Sequence, residues 1–545
     1  MKKPIGQLLK EAGYITEEHI KFALVEQQAT GERLGEVLVR LGLVTDFEIA
    51  RVLGEQNWLP FIDLSNITPE KKALLKVPNK FAREALVLPF KLDEKGVLHV
   101  AIADPFDRRT IEALLRHAQS KVELYVAPKS QIQKTVEHFY YFLQHPPREE
   151  IAALLEKLKR NPTLNFDVDQ LFQNLMIEAI KLNATDIHFV PYEKTFRVYY
   201  RVDGLLELAF VFPATVHGRL INAVKVRANM DIAEQRLPQD GKMRFIFLGD
   251  EFDLRISTVR GLFGENLVIR LLPVKASIKH LTTLGFDQEE VKALEELFTK
   301  PHGMVLVTGP TGSGKTTTLY AALRLIDAIK KNVMTAEDPV EYHFPLIRQT
   351  QINEDIGYTF AAAIRHFLRQ DPDVILVGEI RDEDTAQMAV RAALTGHLLL
   401  STLHTNDAIS AIERLRDLNV TDSLLAGSLL GVTAQRLLRR ICPDCMEEYH
   451  PPTDLLKKYG LPEDGIYFRG KGCDNCHGKG YRGRIAITEI LILSEDLKEN
   501  MAKGLPATEI KKQALSRGMK TLWDSAKKRI LAGETTLEEA IRVLG

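Results

Sequence analysis

The run Gly309-Pro310-Thr311-Gly312-Ser313-Gly314-Lys315-Thr316-Thr317 combines residue types and spacing suited to holding phosphate. Glycines at 309, 312 and 314 let the backbone curl, so that several N–H groups face one anion. Lys315 is placed to reach β- and γ-phosphates, and the Thr316 hydroxyl to ligate Mg²⁺. The apolar run Met304 to Val307 before the loop reads as a buried strand, and Thr317 to Ala328 after it as a helix. The helix N-terminus then adds partial positive charge at the same spot. A chance glycine turn would not come with both flanks.

Three more stretches carry chemistry at what read as strand ends. Val333-Met334-Thr335 leads into Glu337, Asp338 and Glu341. Acidic groups there can polarise an attacking water or hold hydrated Mg²⁺. Val374 to Val377 leads into Gly378-Glu379-Ile380-Arg381-Asp382, a Walker-B-like strand with Gly378 where an aspartate is usual. Leu398 to Leu400 leads into Ser401 to Asn406, with His397 before the strand and His404 after it. A histidine in that place can contact a γ-phosphate and report its loss. Any one of these is most simply a solvated strand end; three in order behind a phosphate loop indicate nucleoside triphosphate hydrolysis. The alternation of strands and helices from about 280 to 440 predicts a RecA-like parallel sheet covered on both faces. Ligands of such sheets bind beyond the carboxyl ends of the strands.

Cys442, Cys445, Cys473 and Cys476 form two C-x-x-C pairs, separated by 27 residues. Each pair presents two thiolates, and together they predict a closed Cys₄ site for structural zinc, with Zn–S bonds of about 2.3 Å. In a reducing compartment such pairs favour metal over disulfides.

These groups need a multi-domain α/β scaffold. At 545 residues, domains of roughly 100–200 residues predict about three to five of them. Hydrophobic content of 45% and charged content of 27% are those of a globular protein, and a net charge of −1 gives no global field to recruit nucleic acid or anionic lipid. No signal-peptide core and no window of ~20 apolar residues is found, which predicts a cytoplasmic chain. Residues 1–60 hold a helical repeat: Pro4 to Gln27 aligns on Arg33 to Gln56 at an offset of 29, with Thr16 and Thr45 as N-caps and Glu48 completing a capping box. Residues 61–143 read as a small α/β domain and 144–165 as a linker around a charged helix. Residues 166–275 read as a second α/β domain carrying Arg236, Arg244, Arg255, Arg260 and Arg270, which together are candidate arginine fingers. The ATPase core spans 276–440, the zinc module 441–485 and a helical region 486–545.

Taken together, the phosphate loop, TAEDPVEY (Thr335 to Tyr342), VILVGEIRD (Val374 to Asp382) and TGHLLLSTLHTN (Thr395 to Asn406) resemble the hexameric assembly ATPases of type IV pili and type II secretion systems. ATDIHFVPYE (Ala184 to Glu193), RLPQDGKM (Arg236 to Met243) and Gly478 to Leu491 extend the resemblance over nearly the whole chain. It implies a PAS-like domain before the core. It implies that Glu337 is the general base, that Glu379 orders Mg²⁺ or water, and that His404, with His397, senses the γ-phosphate. Arg255 and Arg270 match arginines near nucleotide at subunit boundaries; Lys242 stands where arginine is common. The N-terminal repeat is similar to the paired motif of cyclic di-GMP-binding domains, which makes Arg33, Leu34 and Gly35 candidate ligand contacts, with Pro4 in the arginine's place in the first unit. The zinc module and long N-terminal region separate the chain from pilus retraction ATPases.

The expected function is therefore a cytoplasmic homohexamer, peripheral to the inner membrane, that hydrolyses ATP to power pilus assembly. Its expected partners are an inner-membrane platform protein and an adaptor, and its expected cofactors are ATP, Mg²⁺, Zn²⁺ and, at the repeat, cyclic di-GMP. A type II secretion ATPase is the alternative. A nucleic-acid motor on the same core would want a basic stripe or stacking aromatics, and the charge balance offers no hint of one. A third reading makes the N-terminal repeat the main business of the chain, as a second-messenger-regulated scaffold. Glu337→Ala is expected to abolish turnover while sparing ATP binding; wild-type-like hydrolysis in that variant would remove Glu337 as the base.

Overall fold

The computed structural model describes residues 3–274 and 280–545. The chain divides into two compact units, Met1–Lys275 and Ala276–Gly545. The expected boundary at 275/276 falls on residues 275–279, outside the described residues.

In the first unit the repeat folds as helices Ile5–Glu11, Glu17–Thr30, Leu34–Arg40 and Asp46–Asn57. Thr16 and Thr45 cap the second and fourth, and the Glu48 carboxylate returns to the Thr45 N–H at 2.5 Å. Leu9, Val37, Leu38 and Val44 are buried between the helices. A three-stranded sheet follows, Val87–Leu92 antiparallel to Leu98–Ile102, which runs parallel to Val122–Val126. The Asp93 carboxylate takes the N–H groups of Lys95 and Val97, which closes the hairpin.

The segment 144–165 is not a detached linker. Its helix Pro147–Arg160 buries Ile151 and Leu158 in the same cluster as Leu171, Leu175 and Phe210. The charged residues of that helix occupy its other face, which is why the segment reads as a linker from sequence. The next domain is a six-stranded antiparallel sheet in the order Leu205–Pro213, Thr195–Val202, Asp186–Pro191, Gly264–Pro273, Asp250–Gly261, Gln239–Phe247. Helices Val168–Lys181 and Thr215–Arg227 cover one face through Leu175, Leu220 and Val224. Strand Leu205–Pro213 has no counterpart among the strands read from sequence. It is an edge strand whose Leu206, Leu208 and Val211 remain exposed, and it is set by the turn at Asp203-Gly204, where both φ angles are positive.

The second unit is built on a seven-stranded sheet in the order Arg348–Gln351, Val333–Glu337, Val374–Val377, Leu398–Leu403, Gly303–Thr308, Leu429–Ile441, Tyr481–Ile492. All neighbours are parallel except the last pair. Separate apolar clusters cover the two faces, as a parallel sheet requires. The helix after the phosphate loop is Lys315–Leu323, shorter than expected. Asp327 ends that region in a local turn, accepting from the Ile329 N–H. Helices Glu495–Ala502 and Ala507–Ser516 join one face of the sheet, and Leu522–Leu531 and Leu537–Leu544 pack on Leu438, Ile485 and Ile487. Among the described residues no helix is long and apolar enough to cross a membrane.

Candidate active site

The phosphate loop leaves the wholly buried strand Gly303–Thr308 and turns directly into helix Lys315–Leu323. Two glycines are demanded by close approach. A Cβ on Gly309 would lie 2.5 Å from the Gln435 carbonyl oxygen, and one on Gly314 would lie 2.8 Å from Gln435 Nε2. Gln435 braces the loop: its Nε2 donates to the Ser313 carbonyl at 2.8 Å and its Oε1 accepts from the Thr318 hydroxyl at 2.8 Å. Sequence reading missed this residue. The available signal was a glutamine in the middle of the strand-like run Leu429–Ile441, after the largely apolar stretch Leu429 to Ala434. Lys315 is only 8% exposed, and its ammonium donates to the carbonyls of Gly309 (2.8 Å) and Pro310 (3.1 Å). Burial pushes it down to about 8, with the Glu379 carboxylate resisting and the Arg436 guanidinium assisting. The Ser313 Oγ is buried and has no hydrogen-bond partner among the described residues. Pro310, Thr311 and Thr317 are exposed and Thr316 half-buried, on the second residue of the helix.

Glu379 and His404 come together beside this lysine. Glu379 Oε1 lies 2.6 Å from Arg381 and Oε2 lies 3.4 Å from His404 Nε2. Burial and the Lys315 charge hold the His404 imidazole below its ordinary pKa, against the pull of Glu379. His397, expected to assist His404, sits at the other end of strand Leu398–Leu403, and its Nδ1 lies 2.9 Å from the Ala392 carbonyl. Six residues of strand span roughly 20 Å, so His397 takes no part at the carboxyl end.

Glu337 ends strand Val333–Glu337 as expected, but its carboxylate is only 3% exposed and is bonded within the protein. It accepts from the Tyr320 and Thr335 hydroxyls and from Gln349 Nε2 at 3.1 Å. Tyr320 stands on the helix that follows the phosphate loop, so this network ties that helix to two neighbouring strands. Burial and the Glu337 charge push the Tyr320 phenol far above its ordinary pKa. Asp338 and Glu341 are exposed.

The predicted arginines of residues 166–275 lie in the first unit. Strand register sets Lys242 opposite Arg255, Arg255 opposite Arg270, Arg270 opposite Asp186 and Asp186 opposite Arg201. This is one row across five strands, on the face away from the helices. Asp186 pairs with Arg270 at 2.9 Å and with Arg201 at 3.7 Å, whereas Arg255 is exposed. Arg236 pairs with Glu234, Arg244 faces Glu251 and Asp253, and Arg260 is exposed near its strand's end, so none of these three joins the row.

The four cysteines converge: their Sγ atoms all lie within 4.8 Å of one another, and none is in a disulfide. Three of the separations are 3.9, 3.7 and 3.8 Å. A tetrahedron of Zn–S bonds of about 2.3 Å spaces its sulfurs roughly 3.8 Å apart, so the set fits zinc. The N–H groups of Cys473 and Gly480 both point at Cys476 Sγ at 3.2 Å. Although burial opposes it, these donors hold that thiol down to about 7, while burial pushes Cys442 up to about 12.

The family model for type II/IV secretion system proteins matches residues 165–542. The chain belongs to that family. The type IV pilus assembly ATPase PilB of Myxococcus xanthus is 39% identical over 560 residues, covering 99% of each chain. The type II secretion system protein E of Xanthomonas campestris is 36% identical over 537 residues, covering 95% of this chain and 94% of its own. The type II secretion protein HxcR of Pseudomonas aeruginosa is 44% identical over 394 residues, covering 72% of this chain and 80% of its own. Among solved structures, the Legionella pneumophila ATPase DotB superposes with a TM-score of 0.53 at 21% identity, over 68% of this chain and 94% of that one, which supports the secretion-ATPase fold.

A second family model, the MshEN domain, matches residues 58–145, which lie after the helical repeat. Within the repeat, Pro4 and Arg33 are the N-cap residues of equivalent helices, and Arg33 is exposed. A Cβ on Gly6 would meet Leu34 at 3.2 Å and one on Gly35 would meet Ile49 at 3.5 Å, so both glycines lie at helix crossings.

Cys476→Ser is expected to lower bound zinc from one ion per chain, measured by elemental analysis of the purified protein. It should also reduce the thermal stability of the second unit, since a structural zinc contributes directly to folding.

Proposed function

We propose that this chain hydrolyses ATP to power type IV pilus assembly, acting as a cytoplasmic homohexamer at an inner-membrane platform protein and its adaptor. The observation that carries this reading is end-to-end similarity to a pilus assembly ATPase, at 99% coverage of both chains, combined with a loop that sets Lys315, Glu379 and His404 together. Similarity to HxcR and to the type II secretion protein E supports the alternative, pseudopilus assembly in a secretion system.

In the proposed cycle the triphosphate lies in the curl of Gly309 to Thr316. The Lys315 ammonium leaves the Gly309 and Pro310 carbonyls for phosphate oxygens, and the Ser313 hydroxyl gains the partner it lacks. Thr316 would hold Mg²⁺, which offsets phosphate charge. Glu379 orders water or the ion's hydration shell, and His404 registers loss of the γ-phosphate through its contact with Glu379. Arg255 and Arg270 supply charge from the PAS-like domain when it closes on a nucleotide, in the same or a neighbouring subunit. Cyclic di-GMP at Arg33, Leu34 and Gly35 is proposed as the regulatory ligand of the repeat. Zinc at the four cysteines holds the module closed.

Glu337 is proposed as the general base, and its surroundings favour a specific second reading. Three donors hold its carboxylate in place, two on Oε1 and one on Oε2, so most of its accepting capacity is spent within the protein. Tyr320→Phe removes one donor and separates the two roles. With Glu337 as base, this variant keeps turning over while Glu337→Gln is inactive. With Glu337 as a buried organiser, both variants lose thermal stability and activity together.

Phosphate release by the full chain tests the main reading: turnover in Mg²⁺, none in Lys315→Ala, and no stimulation by DNA. DNA-dependent turnover would favour the nucleic-acid motor instead. Lys315 also gives the site a pH signature. Its amine is held at about 8 in the free protein, and a bound phosphate restores the charged form. ATP binding above that pH should take up a proton, and affinity should fall as pH rises through it. Calorimetry in two buffers of different ionisation heat reads the proton directly.

A further inference from the structure

We propose that Arg436 is a phosphate ligand supplied in cis, its guanidinium contacting the terminal phosphate of ATP opposite Lys315. This rests on the reading of the loop as an ATP site and adds a cation that none of its motifs contains.

Geometry places the group. Strand Leu429–Ile441 runs parallel to the loop's own strand, with Ala434 opposite Thr308. The next two residues, Gln435 and Arg436, therefore continue alongside the loop as it leaves the sheet. The Gln435 carbonyl is the atom a Cβ on Gly309 would strike, and Arg436 Nη1 lies 3.4 Å from that carbonyl. Arg436 Nη2 donates to the Asn406 carbonyl at 3.0 Å and to its Oδ1 at 3.1 Å. Asn406 follows His404 by two residues. The guanidinium thus spans from the first glycine of the loop to the end of the strand that carries the candidate phosphate sensor.

Charge then selects the ligand. Arg436 is half-buried, and among the described residues no carboxylate lies within ion-pairing distance of it. Three positions along, Arg439 is paired with Glu539 at 2.8 Å. Burial lowers the pKa of Arg436, with only Asp407 acting to raise it, and Arg436 in turn disfavours the charge on Lys315. Two cations are therefore held in a partly desolvated place, where Glu379, already paired with Arg381, acts on Lys315 and Asp407 acts on Arg436 from beyond ion-pairing distance. Such an arrangement is costly until an anion enters. A planar fork with free donors suits phosphate oxygens, and it suits a terminal phosphate best because that group carries the most charge. The bonds to Asn406 use neutral acceptors, so they orient the fork without discharging it.

The test measures affinity of the full chain, by calorimetry with Mg²⁺, for ADP and for adenylyl-imidodiphosphate, which keeps the third phosphate without being hydrolysed. Arg436→Gln should weaken the triphosphate analogue roughly tenfold or more. ADP affinity and melting temperature should stay close to wild type, and Arg436→Lys should recover part of the loss. Asn406→Ala, which removes an orienting acceptor and no charge, should discriminate less between the two nucleotides than Arg436→Gln. Equal loss for both nucleotides with a lowered melting temperature would make Arg436 a strut between the strand and the Asn406 loop and overturn the proposal. A wild-type chain that binds neither nucleotide would instead overturn the ATP reading beneath it.

Discussion

A turn that is to bind phosphate must keep its N–H groups facing outward without collapsing on itself, and in the candidate loop at 309–316 one side-chain amide holds that shape. Gln435 takes the Ser313 carbonyl on one side and the Thr318 hydroxyl on the other, so both ends of the turn are tied to a neighbouring strand. The brace works only at very short range. Its backbone oxygen and its Nε2 occupy the space of side chains at 309 and 314, which is the steric reason for glycine at both places. The loop is therefore a joint product of two strands that lie more than a hundred residues apart in the chain.

The surrounding charges follow from where that brace sits. Lys315 is buried because the turn folds over it, and burial is what weakens its hold on its proton. Glu379 is the carboxylate that acts against this effect, and the same group touches His404. Glu337, by contrast, is hydrogen-bonded by hydroxyls and an amide rather than paired with a cation. It is built into the packing between helix and sheet, whereas Glu379 faces charged groups. Two acids that read alike at strand ends are thus placed in different electrostatic surroundings. The difference lies in what sits across from each: Tyr320 on a helix in one case, Lys315 and His404 in the other.

Much of this was legible in the chain because chemistry confined to one short stretch leaves its mark in residue spacing. The loop, the acidic strand ends and the paired cysteines each announce themselves within a few residues. The capping of the repeat helices by Thr16 and Thr45 was legible for the same reason. What could not be read depends on register between distant strands. Gln435 and Arg436 gain meaning only once Ala434 is set opposite Thr308. The row from Lys242 through Arg255 and Arg270 to Arg201 exists only after five strands are aligned. Strand Leu205–Pro213 escaped notice because an edge strand leaves apolar side chains in solvent and so blurs the expected alternation. The segment 144–165 reads as a linker from sequence because the charges of helix Pro147–Arg160 outnumber the few side chains that bury it.

The cysteine module interrupts the motor sheet at a particular place. It lies between strands Leu429–Ile441 and Tyr481–Ile492, which pair with each other, and the last pair of that ladder is Ile441 with Tyr481, next to Cys442. The same ladder sets Gln435 opposite Thr488. Metal and nucleotide would thus bind along one antiparallel ribbon, the metal closing the excursion at its open end. A closed excursion lowers the entropy that the two strands would gain by parting. A zinc ion held by the four cysteines would in this sense be a clasp on the ribbon that shapes the loop at Gly309, and an ion with no chemistry of its own would help fix the geometry proposed to hold phosphate.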